Sequence, residues 1–144
     1  MSNRAEANID LTAIAANVKK LKTTSSSELM AVVKADAYGH GLVPVAKAAL
    51  NAGASWLGVA LVEEAHSLRA AGVTAPILAW LVSPGSNYAA AIDANIDLAV
   101  PSLETVKSFT VSIANVQLTK FAPGVPVPEG KLLVNQKYSA LLAR

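Results

Sequence analysis

Short apolar runs and helix-like stretches alternate along the first hundred residues of the chain. The apolar runs are continuous, as is typical of parallel strands covered on both faces, and they lie at 29–33, 55–60, 76–82 and 97–100. Between them, apolar residues recur three and four positions apart, which predicts helices. The order of strand and helix, repeated four times, predicts an α/β chain with a parallel sheet.

Capping residues and glycines mark where the helices begin and end. Asp10 is a favourable N-cap, and the helix after it has its apolar residues at helical spacing, at Leu11, Ile14, Val18 and Leu21. Gly53 and Gly72 stand where the next two helices should end. A short helix is predicted over 88–94, and a further one begins at 101.

The pattern by itself leaves an open sheet and a closed barrel as alternatives. The chain has neither a G-x-G-x-x-G after its first strand nor a G-x-x-x-x-G-K-[ST], so it lacks the phosphate loops of nucleotide-binding open sheets. A closed eight-stranded barrel needs about 250 residues. The 144 residues of this chain have room for roughly half of one, so we expect a fragment.

The character of the sequence changes after Lys107. The segment 123–130, PGVPVPEG, is too rich in proline to form a regular element and reads as a linker. The residues after it do not continue the strand–helix order. We therefore divide the chain into a domain at 1–107 and a divergent tail at 108–144.

Composition and charge exclude several classes of protein. With 53% hydrophobic and 15% charged residues the chain is too apolar to be disordered. A net charge of +2 gives no reason to expect a nucleic acid or an anionic membrane as partner. Because there is no cysteine, a disulfide framework, a thiolate metal site and a cysteine nucleophile are excluded, and we assign no metal ligands.

Two features of the sequence could suggest a membrane protein. Residues 70–92 carry no charge and are long enough to cross a bilayer, but Gly72, Pro76 and Pro84 break them into strand-sized and helix-sized pieces. Arg4, which stands near the start, and the acidic residues after it leave no apolar run for an export signal. We therefore expect a cytoplasmic protein with no membrane contact.

The segment 31–41, AVVKADAYGHG, carries the residues best suited to chemistry. Lys34 stands at the carboxyl end of a wholly apolar strand, where parallel α/β folds collect ligands and catalytic groups. An ammonium there is costly to desolvate unless it finds a partner or gives up its charge. A lysine amine in an apolar pocket can form an imine with a carbonyl group, whereas a lysine that simply reaches solvent is the alternative. Tyr38 adds a hydroxyl, and Gly39 and Gly41 let the backbone approach a ligand.

Other titratable residues have simpler interpretations. We expect His40 to cap or pack the turn after Lys34, and His66 to lie on the surface of its helix. Glu63 and Glu64 are adjacent in a helix and therefore do not face each other, so we interpret them as partners of the helix dipole rather than as an acid–base pair.

The segment AVVKADAYGHG resembles the cofactor-attachment sequence of the alanine racemases, pyridoxal 5'-phosphate enzymes that interconvert L-alanine and D-alanine. AEANIDLTAIAANVKKLK resembles the opening helix of that family, and WLGVALVEEAHSLRAAGVTAPILAWL resembles its second and third strands with the helix between them. The resemblance spans roughly 4–107. It implies an α/β fold that is part of a TIM-type (β/α)8 barrel, with about four βα units.

The resemblance also implies roles for two residues and a set of partners. Lys34 corresponds to the lysine that holds the cofactor as a Schiff base and then acts as the catalytic acid or base on the D-alanine face. Tyr38 corresponds to the tyrosine whose hydroxyl contacts the cofactor phosphate. The expected substrate is alanine, the product D-alanine serves peptidoglycan synthesis, and the expected assembly is a homo-oligomer, in the family a homodimer.

Several residues that such an enzyme needs have no counterpart in this sequence. In the family the opposite-face base is a tyrosine from a C-terminal domain of the partner subunit, and Tyr138 is not a credible replacement for it. The segment D-T-G-M-G-R that should follow the fourth unit is missing. We therefore expect a truncated form, weakly active or inactive, whose tail is the product of a truncation or of a frame shift after Lys107.

Two further interpretations remain open at this stage. In the first, the chain is a non-catalytic module that binds pyridoxal phosphate and covers its open sheet edges by self-association. Alternatively, it is an aldolase-like lyase of a different βα-barrel class, in which Lys34 forms a Schiff base without a cofactor. Only the lysine supports this last interpretation.

Overall fold

The computed structural model describes residues 5–82 and 85–99, together with Ser102 and Thr105. The helices are α1 (Leu11–Thr24), α2 (Lys34–Gly39), α3 (Leu42–Asn51), α4 (Val62–Ala70) and α5 (Tyr88–Asp93). The strands are β1 (Met30–Val32), β2 (Trp56–Val59), β3 (Ile77–Ala79) and β4 (Asp97–Leu98). The predicted order of elements is confirmed through the fourth strand, which is shorter than expected. The tail at 108–144 lies outside the described residues.

The four strands form one parallel sheet in the order β1-β2-β3-β4. The register pairs Val32 with Gly58, Gly58 with Leu78, and Ala79 with Leu98. Since every strand runs in the same direction, all four carboxyl ends lie at one edge of the sheet. The predicted α/β fold of about four βα units, part of a TIM-type barrel, is confirmed.

The core lies between one face of the sheet and the helices. Leu57, Val59, Ile77 and Ala79 of β2 and β3 are fully buried there, and Ala65 and Leu68 of α4 are fully buried with them. On the other face, Met30 and Val32 of β1 are 36% and 42% exposed. The expectation that both faces are covered is therefore wrong for β1 within the described part, because the described helices pack on one side only.

The helix ends follow the predicted capping chemistry. The Asp10 carboxylate accepts the N–H groups of Thr12 and Ala13, at 2.9 and 3.0 Å, as an N-cap does. Gly53 follows the end of α3 with a φ of +110°, a backbone conformation that glycine adopts without steric cost. The chain from 70 to 92 divides into the end of α4, β3 and α5, and within the described ranges no helix has both the length and the apolarity to cross a bilayer.

The Arg69 guanidinium holds the amino-end side of the sheet together. It donates to the carbonyls of Val73 and Ala75 at 2.8 and 2.7 Å, and to those of Ala94 and Asn95 at 2.8 and 2.7 Å. Burial lowers the pKa of Arg69, and the negative charge of Asp97 opposes that shift. One side chain therefore joins the segment before β3 to the segment before β4.

Candidate functional site

The candidate site lies at the carboxyl edge of the sheet, immediately after β1. Val33 is almost completely buried, and its N–H donates to the carbonyl of Gly58 at 2.8 Å, which ties the end of β1 to β2. Lys34 is the next residue and is half-buried. The lysine is thus attached to a rigid strand at the edge where parallel folds bind ligands, as the sequence predicts.

The backbone after Lys34 makes a left-handed helical turn, which is the principal departure from the predicted simple turn. Ala35, Asp36, Ala37 and Tyr38 have φ between 52° and 58° and ψ between 36° and 52°. For L-residues this conformation costs about 1–2 kcal/mol each, because Cβ crowds the following carbonyl. Four in succession are strained, so the surrounding structure must hold the turn in place.

Hydrogen bonds within the segment stabilise this turn. The N–H of Ala37 donates to the carbonyl of Val33 at 2.9 Å, and that of Gly41 donates to the carbonyl of Asp36 at 2.9 Å. The His40 ring contributes as well, since its Nδ1 lies 2.9 and 3.1 Å from the carbonyl oxygens of Ala37 and Tyr38. A carbonyl only accepts, so Nδ1 carries the proton, and His40 caps the turn as predicted.

Two carboxylates, one within the turn and one on α4, connect the turn to the neighbouring elements. Asp36 accepts the N–H of Leu42, the first residue of α3, at 2.7 Å, which joins the turn to that helix. Glu64 of α4 accepts the N–H of Ala35 and also the N–H groups of Ala60 and Leu61 at 3.0 Å. The prediction for Glu64 as a helix-dipole partner is therefore incomplete, because its carboxylate also reaches the residue next to Lys34.

The left-handed turn brings Lys34 and Tyr38 together. The Lys34 Nζ lies 4.8 Å from the centroid of the Tyr38 ring, within the range of a cation–π contact. Tyr38 is 59% exposed, so its ring and hydroxyl remain accessible to a ligand. An amine able to condense with an aldehyde and a phenol able to donate a hydrogen bond are thus presented side by side.

The exposed face of the sheet near this site is closely packed at Gly58. A Cβ built at Gly58 would lie 2.7 Å from Cζ3 of Trp80 and 3.0 Å from Sδ of Met30. The indole of Trp80 therefore lies directly against the backbone of β2, and only glycine allows this approach. Sequence reasoning did not identify Gly58 or Trp80, since the contact between them depends on the register of β2 and β3.

The other residues that the sequence singled out either lie apart from Lys34 and Tyr38 or are not tested by the structure. His66 is half-buried on α4, so part of it is exposed at the surface of the helix. Glu63 is exposed, in agreement with a dipole partner. Tyr138 lies outside the described residues. The sequence analysis named Glu64 but missed its bond to the residue after Lys34. The available signal was a carboxylate in the first turn of a helix that follows a buried strand.

Comparison with known proteins relates most of the chain to one family. A family model described as alanine racemase, N-terminal domain, matches residues 9–119. The alanine racemase of Thermobifida fusca is 57% identical over 104 residues, which cover 72% of this chain and 28% of that protein. The alanine racemase of Salinispora tropica is 54% identical over 100 residues, which cover 69% of this chain and 27% of that protein.

Solved structures give the same relationship. The alanine racemase of D-cycloserine-producing Streptomyces lavendulae superposes with a TM-score of 0.74 and 45% sequence identity, covering 76% of this chain and 29% of that chain. The chain therefore spans less than a third of the length of these relatives. The family match extends past 107, and the boundary drawn there stays a prediction.

Proposed function

Because the chain belongs to the alanine racemase family through its N-terminal domain, we propose that it serves the pyridoxal-phosphate-dependent interconversion of L-alanine and D-alanine. Lys34 is its proposed catalytic residue, and Lys34 and Tyr38 are its proposed cofactor-binding residues. The observation that carries this proposal is the strained turn that places the Lys34 amine 4.8 Å from the centroid of the Tyr38 ring, at the carboxyl edge of the sheet.

The donor set at this edge fits pyridoxal phosphate. The cofactor needs an amine for its aldehyde and hydrogen-bond donors for its phosphate, and Lys34 and Tyr38 offer one of each. Lys34 is half-buried, whereas Tyr38 is exposed. The lysine is therefore partly enclosed by the fold, and the phenol is accessible to an anion.

When bound, pyridoxal phosphate supplies an electron sink that weakens the Cα–H bond of an amino acid. Lys34 then holds the proton that is exchanged at Cα on the D-alanine face, as a positioned acid or base. Tyr38 orients the phosphate end by donating its hydroxyl hydrogen.

The cellular setting forms part of the same proposal. We propose a small amino acid, alanine, as the substrate, a homo-oligomer as the active assembly, and the cytoplasm as its location. We also propose that 1–107 forms the barrel portion and that 108–144 is a separate tail.

The test is to add pyridoxal phosphate to the chain, reduce with borohydride and map the modified peptide. We expect modification at Lys34 and none there in Lys34→Arg, which keeps the charge but cannot form the linkage. Lys47→Arg, which changes an exposed lysine of α3, is the matched control and should behave as the wild type. Modification scattered over surface lysines, with none at Lys34, would overturn the proposal.

An assay of D-alanine formation then separates cofactor binding from racemisation. Modification of Lys34 together with D-alanine formation supports a working racemase. Modification without D-alanine formation contradicts racemisation by this chain and favours the non-catalytic binding module. The expected loss, where an opposed acid or base is missing, is roughly 10²–10⁴-fold in rate.

A further inference from the structure

Glu64 uses both of its carboxylate oxygens to connect two strand ends. Its Oε1 accepts the N–H of Ala35, the residue directly after Lys34. Its Oε2 accepts the N–H groups of Ala60 and Leu61, both at 3.0 Å. Ala60 and Leu61 form the junction between β2 and α4. One carboxylate therefore links the end of β1 to the end of β2.

The bond to Ala35 satisfies a donor that the left-handed turn cannot satisfy itself. The first N–H groups of any helical turn point away from the turn and have no partner within it. Ala35 is the first of the four residues with positive φ, so its N–H needs an acceptor from elsewhere in the fold. Glu64 supplies a charged acceptor, which gives a stronger bond than a neutral one.

The direction of the Lys34 side chain depends on this same peptide unit. The N–H of Ala35 belongs to the peptide that begins at the carbonyl carbon of Lys34, so fixing this N–H limits rotation about ψ of Lys34. On the other side, Val33 is fixed by its bond to Gly58. Both neighbours of Lys34 are thus fixed, Val33 by the sheet and Ala35 by Glu64.

We propose that Glu64 is a positioning residue of this site: through the Ala35 N–H it holds the left-handed turn, and thereby directs the Lys34 amine towards the aldehyde that it binds. This inference rests on the proposed function, since it concerns the reaction of Lys34 with pyridoxal phosphate. Glu64 itself touches neither the amine nor the cofactor in this role. It acts through the backbone.

The matched pair of variants is Glu64→Gln and Glu63→Gln. The two residues are adjacent on α4 and both lose one negative charge, but Glu63 is exposed. A glutamine at position 64 retains one accepting oxygen, and its NH2 group cannot accept, so it loses the bonds on one side of the bridge. The comparison therefore removes the hydrogen bonds on one side of the bridge while the change in charge is the same.

The first readout is the apparent dissociation constant of pyridoxal phosphate at Lys34, obtained by borohydride trapping and peptide mapping of the full chain. Modification of the exposed lysines of α1, Lys19, Lys20 and Lys22, is measured in the same samples as an internal reference. We expect Glu64→Gln to weaken the Lys34 modification roughly tenfold, the size of effect for one bond to a charged group. The reference lysines and Glu63→Gln should be unchanged.

A purely structural role predicts a different result. In that case Glu64→Gln lowers the midpoint of thermal unfolding, while the ratio of Lys34 to reference modification stays at the wild-type value below that midpoint. Such a result, or equal ratios in Glu64→Gln and Glu63→Gln, overturns the positioning role and leaves the proposed function intact. By contrast, the absence of any modification of Lys34 in the wild-type chain would overturn the proposed function itself.

The second readout needs no cofactor and no variant. Amide hydrogen exchange of the wild-type chain should show slowed exchange at Ala35, although this residue is outside the sheet and its N–H has no partner in its own turn. Exchange of the Ala35 amide at the rate of a free peptide would overturn the proposal, even where Glu64→Gln fails to fold. In a folded Glu64→Gln chain we expect that protection to fall about tenfold, with β2 and β3 unaffected.

Discussion

The Nζ of Lys34 lies 4.8 Å from the centroid of the Tyr38 ring, four positions along the chain, and the backbone between the two residues is left-handed. In a right-handed helix, residues four apart also share a face. In this chain a turn of the opposite hand brings the pair together after β1. The geometry of the pair therefore depends on an energetically costly backbone conformation.

The Tyr38 hydroxyl and the Tyr38 ring have separable roles. We expect Tyr38→Phe, which keeps the ring over Lys34 but removes the hydroxyl, to weaken pyridoxal phosphate about tenfold through the lost hydrogen bond to the phosphate. Pyridoxal without phosphate should bind Tyr38→Phe and the wild type equally. Absorbance titration with both aldehydes measures this difference, and an equal loss for the two aldehydes would contradict a phosphate contact.

The left-handed turn predicts an unusual response to glycine. Ala35 is exposed with a φ of +52°, so Ala35→Gly removes a steric cost of about 1–2 kcal/mol and adds about 0.5–1 kcal/mol of unfolded-state entropy. We expect the free energy of unfolding to be unchanged or raised by up to about 1.5 kcal/mol.

The control for this prediction is Ala48→Gly in the right-handed helix α3, where glycine should lower the free energy of unfolding by about 1 kcal/mol. Urea unfolding of the three chains provides the comparison. Equal losses in Ala35→Gly and Ala48→Gly would mean that Ala35 does not adopt positive φ.

The close contact at Gly58 predicts that even a methyl group is not tolerated there. In Gly58→Ala the added Cβ would meet the Trp80 ring at 2.7 Å and Met30 Sδ at 3.0 Å, both below ordinary contact. We expect a loss of about 1–3 kcal/mol in the free energy of unfolding, together with a shift in tryptophan fluorescence as the indole of Trp80 moves. Gly72→Ala adds a Cβ that meets nothing within 4 Å, so it tests the added methyl group without steric overlap. It is a weak control, because the φ of +82° at Gly72 is itself unfavourable for alanine.

The double variant Gly58→Ala with Trp80→Leu separates steric overlap from other effects. A smaller side chain at position 80 should return part of the lost stability, because it vacates the space that the new Cβ needs. Strictly additive losses in the double variant would contradict the contact.

The Arg69 guanidinium should contribute more to stability than a surface cation does. Arg69→Lys keeps the charge but cannot reach the four carbonyls of Val73, Ala75, Ala94 and Asn95 at once, so we expect a loss of about 2 kcal/mol. Lys47→Ala, at an exposed position of α3, should change the free energy of unfolding by less than about 0.5 kcal/mol. Equal values for the two variants would show that the carbonyl bonds contribute nothing.

Much of the fold is predictable from the sequence because the relevant signals are local. Asp10 caps α1 through bonds to residues two and three positions away, and Gly53 follows the end of α3 in the conformation that glycine favours. The continuous apolar runs become β1 to β4 in the predicted order. Burial differs at Met30 and Val32, since covering a sheet face depends on which elements pack against it, and periodicity does not specify that.

The sequence by itself determined that a lysine stands at the carboxyl end of an apolar strand and that Tyr38 follows four residues later, because both facts depend on order along the chain. Tertiary structure alone decided the hand of the turn between them and the role of Glu64, which reaches Ala35 across 29 residues of sequence. The physical reason is energetic. A left-handed turn of L-residues is unfavourable in isolation and persists only where bonds from distant segments hold it, so local sequence signals do not reveal it.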